Sequence, residues 1–163
     1  MRRICENLRD SGSQRQFRAR ILLMGSQLDD PEYIKVIEEM GGLVVADAFC
    51  FGSLHYRDLV DENAPPIKAI AERYLKKLSC PRMFEDFEDR YRRVVETARE
   101  YDAKGIIVQS MKFCDTWGVD ANVFTQRLRA DGFPVLRLER EYTLSGVGQM
   151  RTRVQAFMEM IGG

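Results

Sequence analysis

With 163 residues, the chain has the size of one ordinary domain and can close a hydrophobic core without disulfide or metal staples. Its apolar fraction of 45% and charged fraction of 31% are those of a soluble globular protein. Twenty-five acids balance twenty-five bases, which leaves no net field to draw in nucleic acid or a membrane surface. No run is apolar and long enough for a signal peptide or a bilayer span, so a cytoplasmic location is expected.

Residues 1–19 carry little periodicity and read as a lead-in or linker to a single domain over 20–163. Arg20-Ile-Leu-Leu-Met-Gly-Ser26 is an unbroken apolar run and predicts a buried strand. Asp29-Asp30-Pro31 then opens a helix, because a carboxylate caps free amides and proline suits the first helical position. Tyr33, Val36, Ile37 and Met40 form its apolar face, and Gly41-Gly42 stops it. Leu43-Val-Val-Ala46 predicts a second strand that runs on to Ala48, with an irregular loop over 54–64.

Pro65-Pro66 opens a helix with Ile67, Ile70, Ala71, Tyr74, Leu75 and Leu78 on one face, and a second helix follows with the stripe Phe84, Phe87, Tyr91, Val94, Val95, Ala98 and Tyr101. A third strand is expected at 105–110, a helix near Ala121–Ala130 carrying Phe124 and Leu128, and a fourth strand near 134–139. Ser145 is placed to cap a last helix with Met150, Val154, Phe157 and Ile161 inside. Strands alternating with helices predict a three-layer α/β/α domain on a four-stranded, parallel, doubly wound sheet.

Cysteines stand at 5, 50, 80 and 114, beside a single histidine, His55. Without a CxxC pair, a zinc ribbon and a thioredoxin motif are both disfavoured. No phosphate-binding GxxxxGK[ST] loop and no GxGxxG follows a strand. Ser145-Gly-Val-Gly-Gln149 is only a faint glycine loop. Ligands in open α/β sheets sit beyond the carboxyl ends of the strands. Cys50 follows the second strand and Cys114 the third, so both should open on one crevice. Cys80, closing a helix before Pro81, is expected at the opposite edge. Ser26, Asp47, Lys112 and Asp115 are the strand-end residues expected to line the crevice. Thiols near helix N-termini suit an anionic iron–sulfur cluster or a reactive cysteine, and spacing alone leaves both open. Trp117 and Phe113 read as core, His55 as incidental to its loop, and Arg151 and Arg153 as a solvated face or a contact with a partner.

Six short motifs occur in order: Arg20-Ile-Leu-Leu-Met-Gly-Ser26, Gly41-Gly-Leu-Val-Val-Ala-Asp47, Ala71-Glu-Arg-Tyr74, Cys80-Pro-Arg82, Lys112-Phe-Cys-Asp115 and Gly148-Gln-Met-Arg-Thr-Arg153. Together they resemble the 2-hydroxyglutaryl-CoA dehydratase (D-component) / benzoyl-CoA reductase family, specifically its C-terminal domain, over about residue 20 to the end. Leu138-Glu-Arg-Glu-Tyr142 looks closest to the smaller benzoyl-CoA reductase subunits. The resemblance implies a 4Fe-4S cluster, an acyl-CoA substrate, a homologous subunit and an ATP-dependent activator protein that delivers one electron for radical chemistry. It carries over Cys114 as a cluster ligand, with Cys80 and Cys50 as lesser candidates. Lys112, beside Cys114, reads either as a holder of a thiolate or a phosphate of coenzyme A or, with Asp115, as a solvated strand-end charge. Family subunits have two such domains, so this one is expected to be inactive alone and to expose the face its companion would cover. The alternative is a metal-free α/β binding module for a coenzyme A or nucleotide moiety, or a non-catalytic partner domain.

Overall fold

The computed structural model describes residues 16–76, 80–82, 86–142 and 146–162. Four parallel strands, β1 (Ala19–Gly25), β2 (Gly42–Phe49), β3 (Gly105–Met111) and β4 (Val135–Arg140), form a single sheet in the order β2-β1-β3-β4. The five α-helices among the described residues are α1 (Pro31–Glu39), α2 (Pro66–Leu75), α3 (Phe87–Glu100), α4 (Asp115–Ala130) and α5 (Val147–Ile161). This is the three-layer architecture that the strand–helix alternation predicts.

The pleat sends successive side chains to opposite faces, and the two cores follow from it. Leu22, Met24, Ile106 and Val108 pack on one face with Tyr91, Val94 and Val95 of α3 and Trp117, Phe124 and Leu128 of α4. Ile21, Leu23, Ile107 and Leu138 pack on the other with Ile37 of α1 and Val154, Phe157 and Met158 of α5. Asp30 caps α1 through its carboxylate, which accepts from the Glu32 amide at 2.9 Å, and Pro31 takes the first helical position.

The order reverses between β1 and β3, and the join there is tight. Gly25 has φ +133°, and a Cβ on it would fall 1.7 Å from the Gln109 carbonyl oxygen. Just beyond, the Ser26 amide donates to that carbonyl at 3.1 Å, and the Ser26 hydroxyl accepts from the Met111 amide at 2.7 Å.

Three expectations are corrected. Helix α4 begins at Asp115 rather than near Ala121, so Trp117 is helical and buried. Its core contacts at 117, 121, 124 and 128 follow helical spacing from the first turn. Helix α2 does not bury an apolar face: only Ala69 is buried, while Ile67 and Leu75 are 81% and 80% exposed. Phe113 is not core but 98% exposed, in the left-handed backbone region with φ 66°. Leu78, Phe84 and Ser145 lie outside the described residues, as does Cys5.

Candidate functional site

Cys114 is the N-cap residue of α4: its carbonyl accepts the Gly118 amide at 2.7 Å and its thiol meets the Thr116 hydroxyl at 3.6 Å. Cys114 therefore stands at the positive end of the α4 dipole, although its side chain makes no capping hydrogen bond. Phe113 immediately before it holds a backbone conformation that non-glycine residues rarely adopt.

Cys50 leaves β2 onto the same edge. Its sulfur accepts a hydrogen bond from the buried Trp117 indole N–H at 3.0 Å, so α4 reaches both thiols. Burial pushes the Cys50 thiol up, and the charges of Cys80 and Cys114 push it in the same direction, against the Trp117 hydrogen bond and Arg82. His55, in the short 3-10 turn Ser53–His55, shares a ring nitrogen hydrogen bond with the Cys50 carbonyl at 3.1 Å and stacks on Phe51. It is a neighbour of the site rather than incidental.

The structure does not put Cys80 at the opposite edge: Arg90 of α3 ties its backbone to Asp120, in the second turn of the helix that Cys114 caps. The return from β2 to β3 uses two helices, and α3 is the one packed against the sheet. Cys80 precedes α3, whose N-terminal end lies where the strands finish. Arg90 of α3 holds the segment there: Nη1 donates to the Cys80 carbonyl at 3.3 Å and Nη2 to Asp120 of α4 at 2.7 Å. Partial burial opposes ionisation of Cys80, but the Arg82 amide and guanidinium, with the charges of Arg82 and Arg90, more than offset it and hold the thiol below its ordinary value.

The edge thus carries thiols of opposite character. Timed iodoacetamide labelling at neutral pH, read by peptide mass mapping, should modify Cys80 faster than Cys50 by about tenfold or more, because the thiolate is the nucleophile. Equal rates would contradict the arrangement.

The remaining strand-end residues divide. Asp47 spends its carboxylate on its own turn, accepting the Ser53 amide at 3.0 Å. Ser26 is buried and stitches β1 to β3. Asp115 is exposed in the first turn of α4. Lys112 is exposed and pairs with Glu141 at 2.5 Å, which raises the pKa of its ammonium. Cys50 and Cys114 both pack against the α3/α4 core and Cys80 is tied to α3, without closing into one cluster, while Ser26, Asp47 and Lys112 have other tasks. Sequence reasoning missed Arg82 and Arg90, and only the Cys80-Pro-Arg82 motif hinted at either.

A 4Fe-4S cluster needs thiolates in mutual reach. Among the described residues no three cysteine, histidine or carboxylate groups come close enough to hold a metal ion. The described thiols alone do not make a cluster site.

Comparison with known proteins bears on what this edge is for. Over 142 residues, covering 87% of this chain and 38% of the relative, the chain is 29% identical to the "(R)-phenyllactyl-CoA dehydratase beta subunit" of Clostridium sporogenes. It is 28% identical over 155 residues to the "Putative dehydratase subunit YjiM" of Escherichia coli (strain K12), covering 93% of this chain and 40% of that one. It is 25% identical over 143 residues to the "Lactoyl-CoA dehydratase subunit beta" of Anaerotignum propionicum, covering 87% and 38%. The chain therefore spans only about two fifths of the length of these curated relatives. Residues 1–161 match the family described as "2-hydroxyglutaryl-CoA dehydratase, D-component", and the chain belongs to that family.

Proposed function

We propose that this chain is part of a cytoplasmic 2-hydroxyacyl-CoA dehydratase-type enzyme, and that its thiol edge faces an iron–sulfur centre whose further ligands come from outside the described residues. The observation that carries this reading is Cys114 at the head of α4, within a chain that matches the dehydratase family from end to end. The dehydratase names of the three relatives, two of which name a CoA thioester, favour loss of water over ring reduction. In this reading the chain works with a homologous subunit and an ATP-dependent activator protein. Its own residues contribute Cys114 as a ligand and Trp117, which is 4% exposed, as the wall behind it. Cys80, whose sulfur accepts from Arg82 Nε at 3.3 Å, stands at the rim.

Phe51 and Phe113, next in sequence to Cys50 and Cys114, are 57% and 98% exposed. Aromatic residues presented this way around a site mark a surface for another protein. The chain alone is therefore expected to self-associate or to need a partner, and to hold less than a full complement of iron. Anaerobic purification, an iron and sulfide assay and light scattering test both points together. A clean monomer holding a full four-iron cluster would sink this reading. So would a Cys114→Ser variant of the complete enzyme with unchanged iron content.

A further inference from the structure

Helix α2 is turned inside out on the domain. Its apolar residues Ile67, Ile70, Ala71, Tyr74 and Leu75 fall within one arc of about 140° at helical spacing. That arc faces solvent: Ile67 and Leu75 are 81% and 80% exposed, Ile70 and Tyr74 are 45% and 60% exposed, and Ala71 is exposed with them. Ala69, the buried residue of the helix, lies opposite the middle of the arc. Arg73 fastens the inner side, donating through Nε to the Asp58 carbonyl at 2.6 Å and through Nη2 to the His55 carbonyl. A surface helix ordinarily turns its apolar stripe to the core and its charges to water. Here a small residue and an arginine meet the domain, and the stripe meets water. A contiguous apolar patch with a charged rim marks a docking surface.

The rim indicates the occupant. Lys68 and Glu72 stand one turn apart along the border beside Leu75, 3.8 Å from each other and both solvent-accessible. A two-fold axis crossing the helix near Ile70 lays the stripe of one copy on that of another in antiparallel order. The same axis brings this rim against itself in reverse order, so each Lys68 meets Glu72 of the second copy. Ala71, beside the axis, lets the two helices approach closely, and Ile67 falls against Tyr74 of the second copy. A rim carrying both signs is thus complementary to itself, whereas a rim of one sign would repel its own copy.

We infer that α2 is a self-association face, through which two copies of this chain pair as antiparallel helices. One short helix from each copy makes a small interface, so the dimer forms in a concentration-dependent way rather than as an obligate unit. The inference is independent of the iron–sulfur reading, since it needs no thiol and no metal, and neither Phe51 nor Phe113 belongs to α2.

The test is sedimentation velocity with light scattering on the metal-free full chain, in reductant, over a range of concentrations. The mass should rise from one copy to two and stop there, because a two-fold interface closes on itself. Ile67→Glu combined with Leu75→Glu should weaken dimerisation by about tenfold or more. The thermal midpoint of the monomer should not change, because both side chains are already in water. Lys68→Glu sets carboxylates of the two copies against each other and should weaken the dimer by about tenfold. Adding Glu72→Lys to it restores the alternation of sign and should restore the affinity of the parent. A chain that stays monomeric at every concentration, a dimer indifferent to Ile67→Glu with Leu75→Glu, or a charge reversal that the swap does not rescue would overturn the proposal. So would loss of the dimer in Phe113→Ser, which would move self-association to the thiol edge.

Discussion

Replacing Gly25 by alanine is expected to prevent the sheet from closing. A Cβ there would sit 1.7 Å from the Gln109 carbonyl oxygen and 2.8 Å from its carbonyl carbon, both backbone atoms of the paired strand. Neither can swing aside as a flexible side chain would. The residue must also hold φ +133°, which only glycine adopts without strain. Relief would require β1 and β3 to separate where the Ser26 hydroxyl and the Gln109 amide bind them together. A loss of at least about 3 kcal/mol follows, a large part of the ~5–15 kcal/mol that holds a domain together. Urea unfolding followed by far-ultraviolet circular dichroism measures it. If Gly25→Ala unfolded within about 1 kcal/mol of the parent, the β1–β3 register described here would be wrong.

The second large effect belongs to Arg90. Its side chain is 6% exposed and its partner Asp120 is 16% exposed, so the 2.7 Å ion pair between α3 and α4 is largely shielded from water. Removing one member of a buried pair strands the other charge, which costs about 3–5 kcal/mol, whereas replacing both by apolar groups is often nearly neutral. Arg90→Ala should therefore lower stability by about that amount, and Arg90→Met combined with Asp120→Leu should recover most of the loss. Both variants also release the Cys80 carbonyl and withdraw a cation that favours the Cys80 thiolate. Cys80 alkylation should slow in both, even where the double variant regains its stability. A single variant as stable as the parent, or a double variant with undiminished Cys80 reactivity, would show that Arg90 holds neither the helices nor the thiol segment.

The strands were legible because each is a short apolar run bounded by turn residues, and the Asp30-Pro31 opening of α1 because its capping chemistry is local. The start of α4 was hidden because Trp117-Gly118-Val119 reads as strand-end loop until Trp117 is counted with Ala121, Phe124 and Leu128. The periodicity of α2 was read correctly but its burial was not, since spacing identifies an apolar face without saying that anything covers it. Cys80 was misplaced because two helices in succession leave open which one runs back along the sheet. Arg90 and Arg140 were invisible for a common reason: an arginine in a charged stretch is usually solvated. Only the three-dimensional packing shows that these two are buried, at 6% and 5% exposure. The thiol edge was thus partly foreseeable from two strand ends, whereas the burial of Arg90 and Arg140 was not.

The strand order also governs how the chain reaches its native state. β1 and β2 are joined through one short helix and pair from Ala19–Gly42 to Gly25–Phe49 with one irregularity at Val45, so that unit closes over a modest stretch of chain. The other side of β1 must wait for β3, and the Gln109–Ser26 contact spans 83 residues. The entropy of closing that loop has to be met before the central strands reward it. Until then the inner edge of β1, with Leu22, Leu23 and Met24, stays open to solvent and to other chains. The arrival of β3 is therefore expected to limit the folding rate, and the period before it is when the open edge is most exposed to aggregation.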